Sequence, residues 1–411
     1  MTAISTQVCI VGGGPAGMMH GLLMARAGID VVVLEKHGDF LRDFRGDTVH
    51  PSTLEVMYEL GLLDEFLKRP HQKLRTASGV IGGVKVNLAD FTHLPTHCGF
   101  VALMPQWEFL DFLSLHAKRY PNFHLMMETE ATDLISESGR VVGVVADTRE
   151  GHAEIRAPLI VAADGRHSII REKSGLPLQE FGVPIDVLWM KLSRKDTDPL
   201  TTLGRIAAGV IFVTLDRGDY WQCAVVIHKG GADELKARGL ESFCALIARV
   251  APDFADRVSE VQSWDQIKLL TVKVDRLRQW SKPGLLCIGD AAHAMSPIGG
   301  IGINLAIQDA VAAANILAPA FARGGPNDDD LRRVQKRREF PTRATQSFQM
   351  AIQNNVMTRV LGSKVDPKPP FAVKLLNAIP YLRRFPARLM GIGVRPEHVH
   401  TPEAARVPTP V

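Results

Sequence analysis

The chain has 411 residues, 46% of them hydrophobic and 22% charged, and its 48 Lys and Arg exceed its 44 Asp and Glu by four. That balance suits a globular protein of two or three domains at roughly 150 residues each, and it excludes a disordered chain, a coiled coil and a collagen. The basic residues form no long block, so nucleic acid is not an expected partner. In chain order, Gln7–Val11 reads as a buried strand, Gly12–Gly17 as a turn, Met18–Ala27 as a helix ending at Gly28, and Val31–Leu34 as a second buried strand ending at Glu35. Strand, helix and strand make a βαβ unit, hence a parallel sheet. Val80–Leu88 alternates as an exposed strand, Gln106–Tyr120 has helical spacing, Val141–Val145 follows a Ser-Gly turn, and Leu159–Ala163 is a buried strand entering Asp164-Gly165.

From about Val183 the pattern changes. Val187–Leu192, Gly209–Leu215 and Gln222–His228 read as successive strands, interrupted by a helix over Asp233–Val250. This suits an antiparallel sheet with one helix, different in kind from the start of the chain. The parallel pattern returns with Leu285–Ile288, Gly289-Asp290, an alanine-rich helix from Asn304 to about Ala322 and a charged helical stretch over Asp328–Val360. The expected fold is therefore α/β, α+β overall. One discontinuous parallel-sheet domain takes residues 1–75, 100–180 and 272–360, an inserted antiparallel domain takes 76–99 and 181–271, and a tail takes 361–411. The tail mixes leucines and arginines, which would suit a membrane-surface element. Its prolines at 367, 369, 370, 380, 386 and 396 break any long amphipathic helix, so a tail packed across the domains or against a second subunit is expected instead, without membrane contact.

Five cysteines, scattered and never in a CxxC pair, give neither a disulfide framework nor a zinc site. They read as small buried thiols in a reducing compartment. Two uncharged windows, Gln7–Ala25 and Ala291–Gln308, are broken by glycines and a proline and do not read as spanning helices. The first has no basic residue ahead of Arg26, unlike a signal peptide. A soluble cytoplasmic enzyme without a metal is the expectation.

The run Gly12-Gly13-Gly14-Pro15-Ala16-Gly17 carries the clearest chemistry. Gly12 permits a tight turn, Gly14 lets a pyrophosphate approach the backbone, and Gly17 lets the helix sit close to the sheet. The helix N-terminus then offers free N–H groups to the phosphates. Glu35 closes the second strand, where a carboxylate accepts both ribose hydroxyls and repels a 2′-phosphate, so the bound nucleotide is not NADP. The fingerprint does not separate NAD from FAD. Two later segments bear on that choice: Ala163-Asp164-Gly165-Arg166-His167-Ser168, and Gly289-Asp290-Ala291-Ala292-His293 followed by Ser296-Pro297-Ile298-Gly299-Gly300-Ile301-Gly302-Ile303-Asn304. An aspartate after a buried strand and a glycine-rich loop at a helix start suit ribityl hydroxyls and a ring carbonyl.

These three segments, in this order, resemble the para-hydroxybenzoate-hydroxylase-like (class A) FAD-dependent aromatic monooxygenases, which include ubiquinone-biosynthesis hydroxylases. The resemblance covers roughly residues 5–350 and implies a Rossmann-like FAD-binding domain of the GR2 type. It implies that Gly12, Gly14, Pro15, Ala16 and Gly17 hold the pyrophosphate, and that Glu35, with Lys36 beside it, holds the adenosine ribose. Arg45 and Gln106 would stand near the pyrophosphate and ribityl chain, and Asp164 would serve FAD and NAD(P)H. Gly289 and Asp290 would take the ribityl hydroxyls, and Pro297, Gly300, Ile301, Gly302, Ile303 and Asn304 would line the flavin. Ile301 departs from the family, where a polar residue is frequent. His293 reads as structural. His50 is a candidate for reaching the ring or substrate, against a capping or packing role. Trp189, Phe212 and Trp221 read as core.

The resemblance implies that NAD(P)H, binding transiently, reduces the flavin, and that a flavin C4a-hydroperoxide hydroxylates an aromatic, quinone-like or polyketide-like small molecule with O2. A reductase that saturates a prenyl chain on the same scaffold and a non-enzymatic binding protein are the alternatives. A homodimer is compatible with all three.

Overall fold

The structure is a computed structural model, and it describes residues 2–41, 48–198 and 203–404. Its central six-stranded sheet runs in the order Ser281–Lys282, Leu285–Cys287, Leu159–Ala162, Val8–Val11, Val31–Leu34 and Phe123–Met126. Every pairing is parallel except that of Ser281–Lys282 with Leu285–Cys287. The four inner strands are short, apolar and wholly buried, as strands covered on both faces must be. The helices Pro15–Arg26 and Gly302–Phe321 pack against each other. At Gly21 an added Cβ would stand 2.9 Å from Val33 and Phe123 side-chain atoms, so the first helix lies tight on the sheet. The edge strand Phe123–Met126 escapes the sequence reading because it is four residues long, half-buried and not alternating.

Beside this sheet, Glu130–Glu137, Arg140–Thr148 and Gly151–Arg156 form a meander that Thr2–Ser5 joins in parallel. Its first turn is the Ser138-Gly139 pair, both with positive φ, the two-residue form that matches strand twist.

The second large sheet has seven strands in the order Lys268–Leu270, Ile185–Ser193, Tyr220–His228, Val210–Asp216, Leu203–Ala207, Thr76–Ile81 and Val84–Asp90. Three expectations need correction here. Val80–Leu88 is not one strand but the two arms of a hairpin, reversed at Gly82-Gly83 with φ of 52° and 79°. The sheet contains one parallel pairing, Leu203–Ala207 with Thr76–Ile81. The helix over Asp233–Val250 is two helices, Ala232–Ala237 and Leu240–Val250, separated at Gly239 by a φ of 88°. One face of the sheet is sealed by Leu240–Val250 over Leu188, Met190, Phe212, Trp221, Cys223 and Val225. The other face carries Ile185, Val187, Ile211, Ala224 and Val226, with Trp189 half-buried among them.

The charged stretch begins at an Asn327 capping box with Asp330 and runs as the helix Asp328–Ile352. It then widens into a π-turn over Gln353–Met357 before a last α-turn, Thr358–Leu361. The tail adds the helices Phe371–Ala378 and Arg384–Gly391 and an extended run that crosses the molecule. Along that run Arg26 Nη1 donates to Thr401 O at 2.5 Å, Val399 N donates to Glu59 Oε2 at 2.7 Å, and Arg338 Nη1 donates to Glu397 Oε1 at 3.1 Å. The stretch Ile298–Phe321 is long and apolar enough to cross a membrane by composition, but 83% of its most apolar window is buried inside the protein.

Candidate functional site

Each glycine of the first turn has a different neighbour. At Gly12 (φ 107°) an added Cβ would meet Ala163 O at 2.4 Å and Asp164 Cα at 2.7 Å, so the turn is pressed against the second motif. At Gly17 it would stand 1.9 Å from Gly12 O, so the helix starts directly on the turn. At Gly14 it would meet nothing within 4 Å. Among the described residues, then, nothing packs against the position a Gly14 side chain would take. The helix behind it has Pro15 at its start, no side-chain cap and no acid in its first turn, which leaves its N–H groups and positive dipole end free for an anion. Glu35 braces this loop: Oε2 accepts from Gly13 N and Oε1 from His37 N, both at 3.1 Å.

The second and third motifs meet the first. Asp164 is pushed above the usual carboxylate range by burial, although Ser168 Oγ, donating at 2.5 Å, and nearby amides pull it back. Arg166 Nη2 lies 3.5 Å from Asp290 Oδ2, joining the Asp164-Gly165 and Gly289-Asp290 turns. Arg171 adds a second stitch by donating to Arg166 O at 2.8 Å and Ala291 O at 3.4 Å. Gly289 (φ 60°) fits between Ala16 and Ala306, where a Cβ would come within 3.0 and 3.3 Å of their methyls. It therefore touches both the first helix and the helix that follows the glycine-rich loop. Asp290 remains half-buried beside this junction.

The loop Pro297–Ile301 leads into Gly302–Phe321, a second helix with no side-chain cap and no acid in its first turn. Asn304 ties it down: Oδ1 accepts from His50 N and Thr53 Oγ1 at 2.8 Å, and Nδ2 donates to Thr48 O and Gly300 O at 3.2 Å. Pro297 and Gly300 are half-buried, and Ile301 and Ile303 are buried. The His50 ring is buried, donates from Nδ1 to Met390 O at 2.7 Å and also meets the Gly299 backbone. Burial lowers its pKa to about 4, so it is neutral at physiological pH. His50 thus starts the helix Pro51–Glu59 and packs between the loop and the tail.

The remaining sequence candidates fall elsewhere. Lys36 is exposed and pairs with Glu130 at 3.4 Å. Gln106 is half-buried at the start of its helix. Arg45 lies outside the described residues. His293 is buried, with Nε2 2.5 Å from Asp309 Oδ2. Burial raises the Asp309 pKa, but His293 and Arg338 outweigh it and hold the carboxyl below its ordinary range. Asp309 also accepts from Gly289 N at 3.1 Å, so this buried cluster braces the Gly289-Asp290 turn from behind. Phe212 and Trp221 are fully buried against Phe254, whereas Trp189 is on the other face of the sheet.

Sequence reasoning missed a glutamine row on the long helix. Gln346 Nε2 donates to Asp275 O at 2.8 Å and Ala294 O at 3.1 Å. Gln349 Nε2 donates to Ser296 O at 3.0 Å and Ile298 O at 2.9 Å, and its Oε1 accepts from Ser296 N at 3.2 Å. Gln353 Nε2 donates to Ser296 Oγ at 2.7 Å. All three are fully buried and hold the chain from Ala294 to Ile298. Their i, i+3, i+7 spacing is a single helix face and was the available signal.

Residues 5–347 match the FAD binding domain family. The chain belongs to this family. FAD is its cofactor, and the family's enzymes are oxidoreductases of the monooxygenase kind, as the resemblance implied. Over 384 residues this family member is 33% identical to 6-methylpretetramide 4-monooxygenase of Streptomyces rimosus, covering 92% of this chain and 90% of that protein. Its fold is shared with p-nitrophenol 4-monooxygenase from Pseudomonas putida DLL-E4, at a TM-score of 0.74 and 20% identity over 95% of this chain and 96% of that one. It is also shared with an anhydrotetracycline hydroxylase from Streptomyces rimosus, at a TM-score of 0.71 and 22% identity over 94% and 76% of the two chains.

Proposed function

We propose that this FAD-dependent monooxygenase uses NAD(P)H and O2 to hydroxylate an aromatic, quinone-like or polyketide-like small molecule. The observation that carries the reading is the convergence of Asp164, Gly289 and Asp290 on the uncapped helix start at Pro15, where no described residue meets a Cβ added at Gly14. The residues fit FAD. The backbone N–H groups of Gly14, Ala16 and Gly17, at the helix start that Pro15 opens, would hold its pyrophosphate, Glu35 its adenosine ribose and Asp290 its ribityl hydroxyls. Pro297 and the backbone of Gly300, Ile301, Gly302 and Ile303 would line its ring, at the second uncapped helix start. When bound, FAD supplies the redox chemistry, taking electrons from NAD(P)H and delivering one oxygen atom of O2 to the substrate.

The chain's own residues provide position and dryness. Asn304 and Thr48 fix Gly300, and the glutamine row fixes Ser296 and Ile298, so the ring-lining backbone is set before a ligand arrives. Ile301, apolar where many relatives are polar, and neutral His50 bring no charge to this wall. The apolar face carrying Val187, Trp189 and Ile211 packs with Met357 and Val360, at the π-turn that begins at Gln353.

The test is a screen of NAD(P)H oxidation by the purified yellow protein across aromatic and quinone compounds under isotopically labelled O2. Substrate-stimulated oxygen uptake with one labelled oxygen in the product is the expected result. NAD(P)H oxidation that saturates a substrate double bond without oxygen in the product would assign the scaffold to a reductase, and a colourless protein would remove the reading altogether.

A further inference from the structure

Residues 364–388 differ from the rest of the surface. The helix Phe371–Ala378 buries none of its residues. Phe371 is 80% exposed and Val365 74%, and Leu375, Ile379, Tyr381 and Phe385 are exposed with them. Among these apolar groups stand Lys364, Lys368, Lys374, Arg383, Arg384 and Arg388, with Asp366 as the one acid. The segment thus carries a surplus of five positive charges, more than the surplus of four for the whole chain. Asp366 is itself exposed and accepts from Ala208 N at 2.8 Å.

This backbone is pinned. A Cβ on Gly82 would stand 2.2 Å from Pro367 O, Asn87 N donates to Asn377 Oδ1 at 3.3 Å, and Ala387 is fully buried against Phe91 and Leu94. Arg383 donates to Leu376 O and Asn377 O at 2.9 and 2.8 Å, locking the two tail helices together. The apolar side chains are therefore held outward by a fixed frame. Between that frame and the hairpin lies a cleft of about 520 Å³ whose walls include Val84, Val86, Pro367 and Pro369, with Lys368 and Lys374 as its cations and Asp366 as its one acid.

We propose that residues 364–388 form a docking face for an anionic phospholipid surface. Large apolar side chains interleaved with lysine and arginine are what an interfacial element needs: the former enter the acyl boundary and the latter meet the headgroups. A second copy of this chain is the poorer occupant, because a two-fold contact would set the same positive patch against itself. A nucleic acid would satisfy the cations but leave Val365, Leu375 and Ile379 unburied. The proposal does not rest on the substrate assignment.

The experiment is co-sedimentation of the holoenzyme with phosphatidylcholine vesicles that contain phosphatidylglycerol, and with vesicles of phosphatidylcholine alone. Binding to the anionic vesicles, released by added salt, is expected. Lys368→Gln combined with Lys374→Gln should weaken it by about tenfold or more, from about 1 kcal/mol per cation at the surface. Phe371→Ala combined with Phe385→Ala should weaken it as well. Leu115→Ala, at an exposed leucine outside the patch, should leave it unchanged. Flavin content and turnover without vesicles should stay constant in all of these variants. No binding to anionic vesicles, or equal binding to both kinds, overturns the proposal. If light scattering shows a dimer that Phe371→Glu splits while vesicles remain unbound, the face belongs to a second copy instead.

Discussion

The glycines of the first turn carry separable duties, because their missing methyl groups would point at different things. Gly17 would drive a Cβ into Gly12 O, whereas Gly14 would point one into open space. Gly14 also has φ −73°, which any residue adopts. Gly14→Ala should therefore leave the unfolding temperature of the flavin-free protein within error of the parent while lowering FAD affinity at least tenfold. Gly17→Ala should lower that temperature with or without FAD. Thermal melts of both forms, with a flavin titration, check the pair. Glu35 has two duties at once. Glu35→Ala removes the acceptor for Gly13 N and His37 N as well as for the ribose, and bonds to a charged acceptor are worth about 1.5–3 kcal/mol each. FAD affinity should fall by tenfold to a hundredfold, and unchanged retention through gel filtration would refute the role. The carboxylate and the glycine spacing were readable in the chain. The bond from Glu35 to Gly13 was not, since it joins positions that only the finished βαβ unit brings together.

At the scale of elements, the glycine-rich loop is held from outside itself. Ser296 and Ile298 receive their bonds from Gln349, and Ser296 Oγ from Gln353, on a helix some fifty residues later in the chain. Gln349→Leu would leave Ser296 N and two carbonyls buried without partners, at a cost of about 1–3 kcal/mol per group before relaxation. The expected outcome is a lower unfolding temperature and a flavin that is released more readily, followed by its fluorescence. Retention equal to the parent would show that the loop is held by Asn304 and Thr48 alone. The strands and helices around this loop were legible because buried parallel strands and their covering helices write long apolar runs. The glutamines were not, since polar residues on a helix rich in charge read as a solvent face. Short elements were lost for a related reason: Phe123–Met126 is too brief for a period, and the breaks at Gly82-Gly83 and Gly239 show only as φ values that glycine permits.

For the whole molecule, the buried histidines set an acid limit. Burial lowers His20 and His50 to about 4, so both are neutral in the folded protein, whereas in the unfolded chain they take up protons near 6.5. The folded state then binds fewer protons between these values, and stability falls as pH drops from about 6.5 to 4, by on the order of 3 kcal/mol per histidine as a ceiling. Above 6.5 their contribution is complete. Asp164, whose carboxyl is raised by burial, acts in the opposite direction at the acid end of this window. Denaturant melts across that range should show a slope that His20→Leu makes shallower. An unchanged slope would mean that this ring is protonated in the folded protein.

The tail has a bearing on how the protein comes to hold its cofactor at all. Met390 receives the His50 ring, and Glu397 completes the buried chain of charges through Arg338 to Asp309 and so to the Gly289 amide. Both are made after every other part of the site has left the ribosome. A nascent chain that has already formed its parallel sheet still lacks the last braces of the loop proposed to line the flavin and of the Gly289-Asp290 turn. A product cut short before residue 384 would lack both braces and is expected to hold FAD less firmly than the longer chain.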